Sequence, residues 1–593
     1  MRKLFLLALL LACALPLRAH VGTQPSIHDT VSGIITRWQN SLPAETLTAL
    51  TVPQALEQLT AAERSLLSTT QLTFKVDVPV VVTVFRETAQ KEVVFWLAER
   101  GFTKPDQTVT VERDRFEAWQ LAFPAGEIGL GVNSLSGDGD QYFVALAPQT
   151  PGTEIHVSDI YPGQHTLGKV ELGERAYAGW DERIFTEVAE AFKGQTLLRG
   201  DMDHRRTAKL IGLFRVTDYP ATETPDQVVL TWAGDPMTTQ SIQWRTSTKV
   251  AKGTVRYREK AAAGTEASAS WTTVTAQTKS LKTPGTVNDS RNHRHTANLV
   301  RLKPGATYEY EVDNGPAAEF TTAPAETVPF KFVYMGDAQN GLDDWGKLVH
   351  HAYTTVPEAA FYIMAGDLVN RGNERDDWDS FFHNATGVFD RRQLVPCIGN
   401  HECQGDQGPW MYLSLFNLPL NGPADIEPER AYTFTYSNAL FAVLDSNMEP
   451  ETQSAWLDQQ LAQSDKTWKF VVYHHPAYSS GPDRNNQEVR EQWGALFDKY
   501  HVDLALQGHD HAYLRTWPMK NQQRVGSAAE GTIYIVSVSG TKFYEQGSFD
   551  YTEFGMTNVA TYQVLDLQID GNKLTYKAYD IEGKVRDEFV IEK

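Results

Sequence analysis

The spacing of apolar and polar positions changes along the chain and divides it into regions with different predicted architectures. In residues 20–220 the patterns predict helices at 26–40, 53–67 and 180–193 and β-rich runs at 76–84 and 92–97. The region is therefore predicted to be an α+β domain rich in strands. Nothing in its pattern points to a function. The segment 201–204 contains two aspartates and a histidine, but a solvated turn is the preferred interpretation because no neighbouring residues complete a ligand set.

Residues 221–325 consist of short alternating strands with turn signals between them. The strand patterns lie at 228–232, 241–245, 254–258 and 307–312, and the turns at 234–236 and 303–305. Several strands at this spacing are typical of a β-sandwich, here of the fibronectin III-like kind.

From residue 326 to residue 593 strands alternate with helical patterns, which predicts a layered α/β domain. The predicted strands are 331–335, 359–365, 393–398, 468–473 and 502–507, and the predicted helices are 342–353, 375–388, 452–463 and 487–500. The end of the chain returns to strands at 561–568 and 574–579, with a hairpin signal at Asp570-Gly571 between them.

A polar cluster follows each of the five core strands of this last domain. The clusters are Gly336-Asp337-Ala338-Gln339, Gly366-Asp367-Leu368-Val369-Asn370, Gly399-Asn400-His401-Glu402, His474-His475-Pro476 and Gly508-His509-Asp510-His511. In open α/β sheets the carboxyl ends of the strands converge on one crevice. Carboxylate, amide oxygen and imidazole ligands suit Zn, Mn or Fe, and a pair of such ions suits displacement at phosphorus. The clusters therefore predict a site for two metal ions.

The charge balance restricts the partners. A formal net charge of −20 argues against binding of nucleic-acid polymers or membrane surfaces, which requires basic patches. A small phosphorylated substrate is itself an anion, so an acidic protein needs local positive charge to bind it. Metal ions would supply that charge. The oligomeric state is not legible in the sequence.

Residues 1–19 have the charged start and short apolar run of a signal peptide, which predicts export to the periplasm or the outside. A lipoprotein signal that leaves a lipidated Cys13 is the alternative. No other stretch approaches a membrane span. Cys397 and Cys403 are expected to be a buried strand cysteine and a loop cysteine, although one disulfide between them is conceivable in an oxidising compartment.

The five clusters, in order over residues 330 to about 540, resemble the calcineurin-like metallophosphoesterase superfamily and, within it, the purple acid phosphatases. The sandwich resembles the amino-terminal domain of the same phosphatases through residues 226–232, 234–236, 244–246 and 302–308. The resemblance implies an αββα layered domain. It does not cover residues 20–220.

The resemblance also implies roles for individual residues. Asp337 and His511 would hold one metal ion, and Asp367 would bridge the two. The second ion would be held by Asn400, His474 and His509. His401 would face the substrate and either stabilise charge or protonate the leaving oxygen, and His475 would either contact the substrate or only pack.

Two positions depart from the purple acid phosphatase pattern. Asn370 stands where a ligating tyrosine is expected, so no purple colour is expected and a stable ferric site is in doubt. Gln339 stands where the subgroup has glycine and other superfamily members have a ligating histidine, and its carbonyl oxygen is predicted to be a ligand, a capping loop glutamine being the alternative. Arg371 could reach a phosphate or be an exposed loop arginine.

The predicted function is hydrolysis of phosphate monoesters by metal-bound water, with Fe, Zn or Mn as metals. A phosphodiesterase acting on nucleotides is one alternative. A catalytically silent binding protein, in which the amino-terminal region does the work, is another. Isolated histidines on predicted helices, at 350, 351 and 383, are expected to be solvated or packed.

Overall fold

A computed structural model describes residues 26–593 except 138, 164, 179–182, 202–207, 262–269, 405–407, 483, 485 and 569–571. The described residues divide into two compact units, one within 26–38 and 51–211 and the other within 39–50 and 212–593. The predicted signal peptide with Cys13, residues 202–204 and the hairpin residues 570–571 lie outside the described residues. Among the residues that are described, no helix is long and apolar enough to cross a membrane.

Helices open the described chain and strands form the rest of the first unit. The helices are α1 (Ile27–Ser41), α2 (Ala44–Thr48), α3 (Val52–Gln58), α4 (Ala61–Leu67) and α5 (Phe95–Glu99), of which α2 falls within residues 39–50 of the second unit. The strands are β1 (Leu72–Val76), β2 (Val80–Glu87), β3 (Thr108–Val111), β4 (Asp114–Phe123), β5 (Gly126–Leu130), β6 (Phe143–Pro148), β7 (Val157–Tyr161), β8 (Leu167–Lys169), β9 (Phe185–Val188) and β10 (Thr196–Leu198). They form two antiparallel sheets, with strand orders β5-β1-β7 and β8-β10-β6-β2-β4-β3-β9.

Two predictions for this unit are wrong in type. The run 92–97 is not a strand, because α5 begins at Phe95; consecutive buried apolar side chains fit a short buried helix as well as a strand. The helix predicted over 180–193 is also absent from the described part of that segment. Strand β9 lies there and pairs with β3, and a short 3₁₀ helix, Glu190–Phe192, follows it.

Two other segments are interrupted where one element was expected. The predicted helix 53–67 is two helices because Thr60 begins the second: its hydroxyl accepts from the Glu63 N–H at 3.2 Å while its own N–H donates to the Glu63 carboxylate at 2.8 Å. The run 76–84 is likewise divided, since β1 ends at Val76 and β2 begins at Val80.

A β-sandwich opens the main part of the second unit. Its strands are β11 (Asp226–Thr231), β12 (Thr239–Ser247), β13 (Thr254–Glu259), β14 (Thr272–Thr275), β15 (Gln277–Lys282), β16 (Arg291–Val300), β17 (Thr307–Val312) and β18 (Ala318–Thr321). Two four-stranded sheets, β11-β12-β16-β15 and β14-β13-β17-β18, enclose a core that includes Trp244, Leu299 and Tyr310. The predicted sandwich is confirmed, whereas its assignment to the fibronectin type stays a prediction.

The α/β domain that follows contains two larger mixed sheets. Its strands are β19 (Phe330–Met335), β20 (Ala359–Met364), β21 (Gln393–Pro396), β22 (Tyr432–Tyr436), β23 (Ala439–Val443), β24 (Trp468–Val472), β25 (Leu504–Gln507), β26 (Tyr513–Thr516), β27 (Met519–Lys520), β28 (Gln523–Arg524), β29 (Ile533–Val536), β30 (Thr552–Met556), β31 (Tyr562–Gln568), β32 (Lys573–Tyr579) and β33 (Val585–Glu592). The strand orders are β21-β20-β19-β31-β32-β33 and β22-β23-β24-β25-β29-β26-β30. Strands β19 to β21 run parallel, as do β23, β24, β25 and β29.

Helices cover the outer faces of both sheets. They are α6 (Leu342–Thr355), α7 (Arg375–Asn384), α8 (Trp410–Leu415), α9 (Glu451–Gln463), α10 (Gln487–Val489) and α11 (Ala495–Tyr500), with a π-helical turn, Arg490–Gly494, joining the last two. Between the sheets Phe332 stacks on Phe361 and meets Phe441 edge-on, at centroid distances of 5.1 and 5.2 Å. Helix, sheet, sheet and helix therefore form four layers, which confirms the predicted αββα domain.

Helix α7 anchors the sandwich to the α/β domain. Asp379 on α7 accepts from Arg245 of β12 at 2.6 Å, and both side chains are almost fully buried. Trp232, just after β11, packs on Phe361 and Phe434 with centroids 5.5 and 5.3 Å apart. A buried pair that is hydrogen-bonded and surrounded by aromatic packing fixes orientation, so the sandwich holds α7 and the loop that precedes it.

Candidate metal centre

Five loops from both sheets of the α/β domain meet at one edge. Asp337, Asp367 and Asn400 follow the parallel strands β19, β20 and β21, and His474 and His509 follow β24 and β25. The His509 N–H donates to Asp337 Oδ2 at 2.7 Å, which joins the two sheets at this point. The convergence expected from the sequence is therefore present.

The backbone at this edge is held in an uncommon conformation. Asp337, Asp367, His509 and His511 have φ values of 44°, 51°, 76° and 47°, in the left-handed region. Non-glycine residues enter that region at a cost, and such conformations concentrate at functional sites where the surroundings enforce them. The loops are thus shaped to aim these side chains at one another.

Two glycines make room for the carboxylates. A Cβ on Gly399 would lie 2.2 Å from Asp367 Oδ1, and one on Gly508 would lie 2.4 Å from Asp337 Oδ2. Neither distance is compatible with a side chain. These glycines are therefore required by close approach to the acidic groups as well as by the turns after the strands.

One group of donor atoms lies around Asp367, His474 and His509. His474 Nε2 is 3.2 Å from Asp367 Oδ2, 3.1 Å from Asn400 Oδ1 and 3.2 Å from His509 Nδ1. His509 Nδ1 is 2.8 Å from Asn400 Oδ1. The other nitrogen of His474, Nδ1, bonds to the Ala365 carbonyl at 2.9 Å, which leaves Nε2 to face the group.

A second group lies around Asp337, Asp367 and His511. His511 Nε2 is 3.8 Å from Asp337 Oδ1, and its Nδ1 bonds to the Lys542 carbonyl at 3.1 Å. Gln339 Nε2 lies 2.8 Å from Asp367 Oδ2 and 3.1 Å from His511 Nε2. Asp367 thus belongs to both groups, each of which has its ligand atoms within 4.8 Å of one another.

The donor set fits two metal ions. Asp337 Oδ1 and Gln339 Oε1 are buried and have no hydrogen-bond partner among the described residues. Buried polar atoms in proteins are rarely left so, and carboxylate, amide and imidazole atoms gathered in this way suit a bound cation. A carboxylate that belongs to both groups could serve two neighbouring ions.

Burial and charge set the protonation of this cluster. Burial by itself would raise the pKa of Asp367, but the charge of His474, together with the other contacts of this carboxylate, outweighs burial and lowers the pKa to about 2, so the shared carboxylate is ionised. Burial, followed by the charge of Asp367, raises the pKa of Asp337 well above its usual value. Burial and the charge of His474 lower the pKa of His509 well below its usual value. Bound cations would hold both carboxylates ionised and all the imidazoles neutral.

His401 lies beside the two groups with one ring nitrogen free to face a substrate. Its Nδ1 is 2.5 Å from the carbonyl oxygen of Asn370 and 2.8 Å from Gln404 Nε2, so this nitrogen is occupied by the neighbouring loops. The other ring nitrogen, Nε2, is 3.8 Å from Asp367 Oδ2 and is the one left to face a substrate. The ring is partly exposed, as a group that meets substrate must be.

The remaining residues singled out in the sequence have specific surroundings. Arg371 pairs with Asp377 and, at 3.5 Å, with Asp376, so its charge is partly offset. His475 Nδ1 is 2.9 Å from Ser446 Oγ, and its ring lies 4.4 Å from that of His509. For both, substrate contact stays a prediction.

Two of the isolated histidines and both cysteines have the surroundings predicted for them from the sequence. The His383 ring stacks on Tyr219 at 3.9 Å, and His351 Nδ1 bonds to the Tyr562 hydroxyl at 3.1 Å. Cys397 and Cys403 are free thiols, the first buried and the second partly exposed. These findings agree with the preferred interpretations.

Glu402 supports the loops of the site, a role that the sequence analysis did not assign to it. Its carboxylate is fully buried and accepts the N–H groups of Asp367 at 2.9 Å, Leu368 at 3.0 Å and Gly399 at 2.8 Å. Burial, followed by the charge of Asp367, raises its pKa to about 7. In the sequence, the position of Glu402 directly after Asn400 and His401 was the feature that could have indicated a role in the site. Glu402 fixes the loops of Asp367 and Asn400 relative to each other.

Replacing Glu402 with glutamine is expected to weaken metal binding by about 10- to 100-fold, the usual effect of losing an outer partner of the ligands. The amide NH₂ would face backbone N–H groups where an acceptor is needed. Titration with Zn²⁺ against a chelating dye measures the effect. The control is Glu429→Gln, which removes a carboxylate that accepts from the Leu418 N–H, outside the cluster. Equal affinity in Glu402→Gln and wild type would contradict the role.

Comparison with known proteins agrees with this geometry. Residues 225–352 match the family model of the purple acid phosphatase N-terminal domain, and residues 330–513 match that of the calcineurin-like phosphoesterase. The chain therefore contains a calcineurin-like phosphoesterase domain preceded by a purple acid phosphatase N-terminal domain. The resemblance drawn from the strand-end clusters is confirmed.

Relatives and solved structures add detail. An uncharacterized protein of Mycobacterium tuberculosis is 27% identical over 326 residues, which cover 47% of this chain and 60% of that protein. Fe(3+)-Zn(2+) purple acid phosphatase 12 of Arabidopsis thaliana is 25% identical over 337 residues, 51% of this chain and 67% of that protein. The structure of a purple acid phosphatase from yellow lupin seeds has a TM-score of 0.53 and 15% identity, and the match covers 88% of this chain and 93% of that one. At that identity the likeness shows the shared fold.

Proposed function

We propose that this protein is a metal-dependent phosphatase that hydrolyses phosphate monoesters at a pair of metal ions. The observation that carries the proposal is the position of Asp367 in both donor groups. Domains named for purple acid phosphatases and relatives of that name support monoesters as the substrate class.

The ligand set proposed for the ions follows the two donor groups. Asp337, Gln339 and His511 would hold one ion, Asn400, His474 and His509 would hold the other, and Asp367 would contribute to both. Gln339 would turn its unpartnered Oε1 toward the ion, since an amide can present either atom after a half-turn. Iron, zinc or manganese suits these ligands, and bound ions would neutralise phosphoryl charge and bring the pKa of a water toward neutrality.

His401 supplies the proton that the leaving oxygen needs. The Asn370 carbonyl holds Nδ1 and so directs Nε2 outward. Phosphoryl transfer depends on positioning and charge more than on covalent chemistry, and Glu402 and the glycines provide the positioning. We also propose that residues 1–19 direct export, which rests on their composition alone.

Hydrolysis of p-nitrophenyl phosphate and of its bis ester by purified, metal-loaded protein tests the function. We expect turnover of the monoester to exceed that of the diester, to stop on chelation and to return with Zn²⁺, Mn²⁺ or Fe²⁺. No strong visible absorption is expected, since Asn370 stands where a ligating tyrosine would give colour. Preference for the diester would make the protein a phosphodiesterase. No turnover of either ester after remetallation would contradict the proposal and favour a silent binding protein.

A further inference from the structure

Two cations that are not part of the ligand set flank the metal centre. Arg484 donates to the His509 carbonyl at 3.1 Å and pairs with Asp510 at 2.8 Å. Lys542 lies between β29 and β30, and its carbonyl is the acceptor that holds His511 Nδ1. Both are therefore tied, through backbone contacts, to residues proposed as ligands.

The ring of Tyr544 holds these cations in place. Its centroid is 5.3 Å from Arg484 Cζ and 5.0 Å from Lys542 Nζ, within the range of cation–π attraction. The same ring meets His511 edge-on at 4.8 Å, and the Tyr544 N–H donates to the His511 carbonyl at 3.0 Å. A rigid aromatic ring thus fixes both positive charges beside the cluster.

The two cations differ in their partners. Asp510 offsets the charge of Arg484, whereas Lys542 has no carboxylate partner among the residues that the structure describes.

Lys542 is partly exposed beside the cluster, and among the described residues its ammonium group has the Tyr544 ring but no carboxylate as partner, so it can take an anionic ligand. The ester phosphate would lie at the metal ions, so Lys542 remains available for another part of the substrate. A carboxylate or a further phosphate would satisfy the ammonium group by a charge-assisted hydrogen bond.

We propose that Lys542, held by Tyr544 and assisted by Arg484, binds a second anionic group of the substrate. The site then prefers phosphate monoesters whose leaving group itself carries a carboxylate or phosphate. This inference rests on the proposed phosphatase function and narrows its substrate class. It makes Lys542 a specificity-determining residue.

Glycerol 2-phosphate and 2-phosphoglycerate test the proposal, because they differ only in a hydroxymethyl group against a carboxylate. The readout is the ratio of kcat/KM for 2-phosphoglycerate to that for glycerol 2-phosphate. We expect Lys542→Met to lower this ratio on the order of tenfold, the size of one lost contact between charged groups, and Lys542→Arg to restore most of it. Lys577→Met is the control, since Lys577 pairs with Glu588 on the outer strands β32 and β33 and should leave the ratio unchanged.

The possible outcomes separate this inference from the function on which it rests. An unchanged ratio in Lys542→Met, or loss of both activities by the same factor, would overturn the role of Lys542 while leaving the phosphatase function intact. If the metal-loaded wild type hydrolyses neither compound nor p-nitrophenyl phosphate, the proposed function fails and this inference fails with it.

Discussion

Replacing Asp367 with asparagine is expected to lower kcat for p-nitrophenyl phosphate by about 10³-fold or more. Asp367 is the one residue common to both donor groups, and an amide brings no charge to share between two cations. Metal ions supply several kcal/mol of stabilisation to a phosphoryl transition state, and about 1.4 kcal/mol corresponds to tenfold in rate. Initial rates of metal-loaded protein measure the loss.

A second buried aspartate provides the control. Asp503 lies at the opposite end of β25 from the cluster, where it accepts from the Lys469 N–H at 2.8 Å and pairs with Lys593. Asp503→Asn should lower the free energy of unfolding. The protein that remains folded should keep its turnover. If Asp367→Asn is folded and keeps more than about a tenth of wild-type turnover, the shared carboxylate does not have the role assigned to it.

Replacing His401 with glutamine is expected to lower kcat for glycerol 2-phosphate by about 10³-fold, within the usual range for a general acid. The same change should lower kcat for p-nitrophenyl phosphate less than about tenfold, because p-nitrophenolate leaves without a proton. The difference between the two esters follows from the position of Nε2, the ring nitrogen left to face the substrate, since Nδ1 contacts the Asn370 carbonyl and the Gln404 amide.

The control for this change is His350→Gln, on the exposed face of α6, which should leave both rates unchanged. Metal content of His401→Gln should equal that of wild type, because His401 is outside both donor groups. Equal losses with the two esters would assign His401 to substrate binding or positioning and would contradict proton donation.

The gathering of the candidate metal ligands was predictable because these residues follow strands. Asp337, Asp367, Asn400, His474 and His509 each come just after an apolar run, and parallel strands bring their carboxyl ends to one edge. The same reasoning could not reach Lys542 or Tyr544, which lie in an irregular segment between β29 and β30. Their place beside His511 depends on how that segment folds back, and no periodic pattern records it.

Local patterns misled where apolar residues follow one another without alternation. Val94 to Leu97, which lead into and form most of α5, are buried in succession, and periodicity cannot distinguish a short buried helix from a strand in such a run. The predicted helix over 375–388 was four residues too long, because α7 ends at Asn384 and residues Ala385 to Phe389 turn toward β21.

The role of Glu402 could not be seen in the sequence because its partners are backbone N–H groups, which are the same for every sequence.

Metal content of the purified, metal-loaded protein, measured by mass spectrometry, tests the central claim most directly. The claim predicts ~2 ions per chain, drawn from iron, zinc and manganese, and a clear reduction in Asp367→Asn, which alters a ligand of both sites. Fewer than about one ion per wild-type chain after loading would contradict it, as would an Asp367→Asn protein that retains the full wild-type content.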